Sequence, residues 1–136
     1  MSELKKKSEE NLRAAQLLNL NEHRLFASSV HCAYYSCFQL IKSILLKHVF
    51  KSEDEYNLEE NKSNKNSHEF AINRLSIDFA KKRPLELRKY SNEINQLKEL
   101  RVISDYKLEE IQIDKSQKAV DLAIRVRNVL LREYKV

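Results

Sequence analysis

Residues 26–45 read Phe26-Ala-Ser-Ser-Val-His-Cys-Ala-Tyr-Tyr-Ser-Cys-Phe-Gln-Leu-Ile-Lys-Ser-Ile-Leu45. Within this stretch Phe26, Val30, Ala33, Tyr34, Cys37, Ile41, Ile44 and Leu45 follow one another at intervals of 4, 3, 1, 3, 4, 3 and 1. Such intervals place side chains on one face of a helix and scatter them over both faces of a strand. A long helix is predicted from about Glu22 to Val49, with Asn19 and Glu22 as a capping pair at its start.

The flanking sequence extends the same pattern. Leu4, Leu12, Ala15 and Leu18–Leu20 predict a first helix over 3–20, with Lys5–Lys7 and Glu9–Glu10 on its outer side. Residues 51–66, KSEDEYNLEENKSNKN, carry only Tyr56 and Leu58 as apolar content and read as a long polar loop. A third helix is expected over 67–80, with Asn66 as its cap and Glu69 completing the box. The basic turn Lys81-Lys82-Arg83-Pro84 closes it, and Pro84 suits the first turn of a fourth helix over 85–106. There the stripe Leu87, Ile94, Leu97 ends in Arg101 and Asp105. A fifth helix is expected after Asp114, boxed by Gln117 and running to about Tyr134, with apolar residues on two sides. The segment Glu110–Asp114 is too short for a convincing strand. The fold class is all-α: an up-and-down bundle of four to five helices in a single domain.

Composition points the same way. The 136 residues include no glycine, one proline and no tryptophan. Without glycine there is no P-loop, no dinucleotide-binding turn and no EF-hand loop, since each needs glycine at a tight turn or a close approach. Apolar content of 42% with 33% charged residues is that of a globular chain. No apolar run approaches the ~20 residues of a membrane span, and no signal-peptide pattern follows Met1. Cys32 and Cys37 stand about 140° apart on one helix and cannot pair with each other, which suits a reducing, cytoplasmic setting. Residues 51–66 carry net −2, so the remainder of this +5 chain carries +7. A basic balance permits phosphate-rich partners.

Several residue types are able to carry chemistry. His23, His31, His48 and His68 lack metal-ligand spacing, so no metal and no cofactor is expected. Cys32 and Cys37 read as small buried hydrophobes rather than nucleophiles. His31 and Tyr35 are i, i+4 neighbours that either line a groove or form a half-covered flank. Arg101, Asp105 and Tyr106 are the sharpest group. Arg101 continues an apolar stripe and needs a planar acceptor, which Asp105 or a phosphate supplies. The alternative is a plain Arg–Asp pair, with Tyr106 closing the core. Lys82 and Arg83, with Lys81, Arg88 and Lys89, either broaden a binding surface or form a solvated turn.

The stretch 27–42 with its Ala33-Tyr34-Tyr35-Ser36 centre resembles the "A-Y-Y-A-x-F" helix of HEPN-domain proteins (higher eukaryotes and prokaryotes nucleotide-binding). Asn66-Ser67-His68 is similar to their "K-S-H" opening, and Arg101-Val-Ile-Ser-Asp105-Tyr106 resembles their "R-x-x-A-D-Y" segment. The resemblance implies a helical bundle that pairs as a homodimer. It implies a prokaryotic toxin–antitoxin or defence setting, often with a nucleotidyltransferase partner. Active members separate the Arg from a His by four to six residues, whereas here four intervening residues lead to Tyr106. A tyrosine with a pKa near 10 is a poor base at neutral pH. The leading expectation is therefore a catalytically degenerate module that binds RNA or nucleotide through Arg101. Asp105 would orient that arginine, and Tyr106, His68, Tyr35 and His31 would line the groove. Two alternatives stand beside it: a metal-independent endoribonuclease using Arg101 with His68 or Tyr106, and a purely structural interaction bundle.

Overall fold

The predicted central helix is present as α2, Phe26–Ile44, extended by one π-helical turn over Leu45–Val49. The computed structural model describes residues 3–20, 22–106 and 110–135. Around α2 lie α1 (Glu3–Leu18), α3 (Glu53–Ser63), α4 (Ser67–Lys82), α5 (Leu87–Tyr106) and α6 (Ile113–Tyr134). Among the described residues the bundle has six helices rather than four or five, and no strand. Among the described residues no helix is long and apolar enough to cross a membrane.

α2 is the hub because its apolar residues wrap more than one face. Val30, Ala33, Tyr34, Cys37, Leu40, Ile41, Ile44 and Leu45 are fully buried. It packs against α1, α4, α5 and α6. Its buried face toward α1 is lined by serines. The Ser8 hydroxyl donates to the Ser36 carbonyl at 2.5 Å, and the Ser29 hydroxyl donates to the Ala15 carbonyl at 2.7 Å. Such bonds need the two backbones close together, which small side chains allow. Pairing of residue 8 with 36 and 15 with 29 makes α1 and α2 antiparallel. Glu86 with Arg132 and Glu93 with Arg125 make α5 and α6 antiparallel as well. α2 and α6 run parallel, with Cys37 against Ala123 and His48 beside Tyr134.

The polar stretch 51–66 is not a loop. It holds α3, which lacks an apolar stripe but is capped at both ends. Ser52 accepts from the Glu55 N–H at 3.1 Å, and Asn64 ends the helix in the left-handed region at φ 60°. Glu53, Asp54 and Glu55 sit in the first turn and Lys62 in the last, as the helix dipole favours. Its one buried residue, Tyr56, meets Phe50 edge-on at 5.2 Å and Phe70 at 5.3 Å. In a chain without glycine, Arg24, Asn64 and Lys135 take the positive-φ positions.

Asn66 caps α4 as expected, accepting from the Glu69 N–H at 2.8 Å. Two other expected caps do not form. α2 starts at Phe26 behind Leu25, so Asn19 and Glu22 do not cap it. α6 starts at Ile113 behind Gln112, so Asp114 and Gln117 form no box. The reason is tertiary: Asn19 is taken by the start of α6. It donates to the Gln117 side chain at 2.7 Å and accepts from the Ser116 hydroxyl. Pro84 lies in the turn ahead of α5 rather than within it. Both cysteines are free; Cys37 is fully buried, and burial pushes its thiol up to about 12.

Candidate functional site

The site forms where three helix ends meet. Arg101, Ser104, Asp105 and Tyr106 occupy the last turns of α5. His31, Tyr34 and Tyr35 occupy the early turns of α2, and His68 the first turn of α4. His31 lies opposite Asp105, and Tyr34 and Tyr35 lie opposite Arg101.

Arg101 is the centre. Its guanidinium carbon lies 5.1 Å from the Tyr34 ring centroid, 5.8 Å from that of Tyr35 and 5.5 Å from that of Tyr106. Aromatic faces attract a cation, and more strongly where water is partly excluded. Its Nε donates to Asp105 Oδ2 at 3.1 Å, with the side chains 13% and 19% exposed. A second, longer donation runs from Nη2 to the Tyr106 hydroxyl at 3.4 Å. Burial opposes the Arg101 charge, but the facing tyrosines and Asp105 outweigh it and leave the pKa raised.

Asp105 is shared. His31 Nδ1 lies 3.2 Å from both carboxylate oxygens, and the Ser104 hydroxyl reaches one of them at 3.4 Å. The His31 ring lies 4.5 Å from that of Tyr35. His68 completes the inner side. It stacks on Phe38 at 4.1 Å, and its Nδ1 and Nε2 face the Tyr34 and Tyr35 hydroxyls at 2.9 and 3.4 Å. In a neutral imidazole one nitrogen donates and the other accepts. Burial, reinforced by Arg101 and Lys98, holds His68 below its usual pKa. Burial also pushes the Tyr34 hydroxyl up to about 12, against the pull of Arg101.

Outside this cluster lies an open groove of about 620 Å³ between the start of α2 and the end of α5. Ser28, His31, Ser104, Asp105 and Tyr106 line it. Tyr106 is 68% exposed, so it does not close the core but offers a ring to the groove.

Arg101, Asp105, Tyr106, Tyr35, His31 and His68 therefore converge. Lys82 and Arg83 do not join them. Lys82 lies fourteen residues beyond His68 on α4, about 21 Å along the helix axis. It sits over the Tyr134 ring at 5.4 Å, while Arg83 pairs with Glu133 at 2.8 Å. Both belong to the opposite end of the bundle, where the end of α4 packs against the end of α6.

Tyr34, which periodicity assigns to the core, and Phe38, which falls beside that stripe, are also site residues. The available signal was the hydroxyl of Tyr34, since a tyrosine in a core position needs a polar partner. In comparison with known proteins, the chain matches no protein-family model, no curated protein and no solved structure.

Proposed function

We propose that the groove beside Arg101 binds RNA or a nucleotide, and that the chain is a non-catalytic, HEPN-like binding module. The observation that carries this reading is the guanidinium ringed by three tyrosines, one of which is largely exposed at an open groove. Tyr106 and His31 present ring surface on which a base can stack, an interaction worth about 1–3 kcal/mol per base. The long Arg101–Tyr106 contact is the one a phosphate oxygen would replace, turning a weak neutral acceptor into a charged one. On the same reading the chain works as a homodimer in a prokaryotic toxin–antitoxin or defence pair, beside a nucleotidyltransferase.

Binding is favoured over cleavage by the state of the proton carriers. His68 does not line the open groove, and its Nδ1 lies 2.9 Å from the buried Tyr34 hydroxyl. Tyr106, which does line it, carries a phenol, a poor base at neutral pH.

The test is fluorescence anisotropy with labelled single-stranded RNA. Binding is expected to weaken steeply with salt, and to weaken again in Tyr106→Ala and in Arg101→Lys, which keeps the charge but loses the planar fork. Unchanged binding in both folded variants overturns the reading and leaves Arg101–Asp105 as a structural pair. Metal-independent cleavage of the same RNA, lost in Arg101→Lys, replaces it with the endoribonuclease.

A further inference from the structure

A second groove, of about 330 Å³, opens on the other side of Ala27 and Ser28. Arg24, Phe26, Glu110 and Gln112 line it. Ala27 and Ser28 line this groove as well as the one beside Tyr106, so the two meet along the exposed face of α2's first turn. The combined trough runs from Tyr106 and His31 past two small side chains to Arg24. Phe26 and His31 stand five positions apart on α2, about 7.5 Å along its axis, and Arg24 lies two residues ahead of the helix. That is room for at least two stacked nucleotides at ~3.4 Å each.

Arg24 is a cation with an unusual placement. It is exposed, its backbone is held at φ 53°, and its guanidinium lies 5.8 Å from the Phe26 ring centroid. Among the described residues it forms no ion pair with a carboxylate; Glu110, in the same trough, is not within pairing distance. An arginine stacked on an aromatic ring with its donors unclaimed by acid is suited to a phosphodiester.

We infer that the trough takes a short single strand of RNA rather than a mononucleotide, with Arg24 contacting a backbone phosphate two to three nucleotides from the base at Tyr106. This rests on the proposed nucleotide-binding role of the Tyr106 groove and extends it. Ala27 and Ser28, both exposed, put no bulky side chain of α2 in the strand's path. Arg24 adds affinity without reading sequence, as backbone contacts do.

The experiment compares labelled uridine oligomers of one, two, four and eight nucleotides on the full chain. Affinity is expected to rise from one nucleotide to four and then to level off. Arg24→Gln is expected to leave the mononucleotide unchanged and to weaken the tetranucleotide. It should also lower the slope of log K against log salt by about 0.7, the value for one lost single-strand phosphate contact. Arg24→Lys should restore the slope. Tyr106→Ala should weaken both lengths. A tetranucleotide whose slope is unchanged in Arg24→Gln, yet whose binding falls in Tyr106→Ala, overturns the extension and leaves the inner groove standing. No binding of any oligomer overturns both.

Discussion

Tyr34 and Tyr35 are adjacent, both face His68, and both lose only a hydroxyl when changed to Phe. The structure predicts unequal results. Tyr34 is fully buried, and its hydroxyl stands 2.9 Å from His68 Nδ1. Tyr35 is half-buried, and its contact with Nε2 is 3.4 Å, long for a hydrogen bond. Tyr34→Phe keeps the ring over Arg101 and beside His68, so packing is retained. What it removes is the partner of a ring nitrogen on the dry side of the imidazole, which costs about 1–3 kcal/mol. The half-buried His68 ring eases that somewhat, giving about 1–2 kcal/mol. At ~2.1 cal/mol/K per residue, a chain of this length loses about 4–7 °C of Tm. Tyr35→Phe leaves a nitrogen that water reaches, and should cost under ~0.5 kcal/mol. Thermal melts followed by circular dichroism at pH 7.5 measure both. In a His68→Phe background Tyr34→Phe should become neutral or stabilising, because its hydroxyl then has no partner to lose. Equal shifts for the two single variants, or an additive double variant, would refute the hydrogen-bond assignment.

Acid should weaken the fold through His68. Its pKa is depressed in the folded chain, so below its ordinary value of 6.5 the unfolded chain takes up a proton that the fold resists. Stability is then complete above about pH 6.5 and falls as pH drops toward the folded value; urea melts at pH 7.5 and 5.5 should differ less in His68→Phe. Arg127 is buried, its Nη2 has no hydrogen-bond partner, and burial lowers its pKa. Arg127→Met should raise stability by about 1–2 kcal/mol, and a lower Tm would show that the Ser8 contact outweighs the burial cost. Asn64→Gly should stabilise α3 and Asn64→Ala should destabilise it by about 1 kcal/mol, since only glycine accepts φ 60° freely. Loss of the Ser52 cap in Ser52→Ala should cost about 1 kcal/mol, seen as a lower Tm, and a silent variant would mean Tyr56 alone holds the helix.

Helices α2, α4, α5 and most of α6 were legible because each buries a stripe that recurs at helical spacing. α3 was not, because its order comes from capping and one docked tyrosine rather than from a stripe. The starts of α2 and α6 were misread for one shared reason: Asn19 and Gln117 are 98 residues apart and bond each other, so neither caps a helix. In the site, Arg101 and Asp105 were visible as an i, i+4 pair, and His31 with Tyr35 as another. Which helix ends coincide is not written in any local pattern. That is why Lys82 and Arg83 were grouped with Arg101, although they sit at the far end. His68 was expected beside Arg101 from the family resemblance, not from any local pattern of its own.

The parallel seam between α2 and α6 has a consequence during synthesis. Cys37 meets Ala123 across 86 residues of chain. At ~5–20 residues per second, the apolar face of α2 that α6 covers waits roughly 4–17 s for its partner to be made. Antiparallel α1, already finished, covers only the serine-lined side during that interval. Until α4, α5 and then α6 follow, the nascent chain holds this helix only partly wrapped. Apolar surface that the finished bundle buries is thus exposed on the ribosome, where transient exposure of this kind favours aggregation.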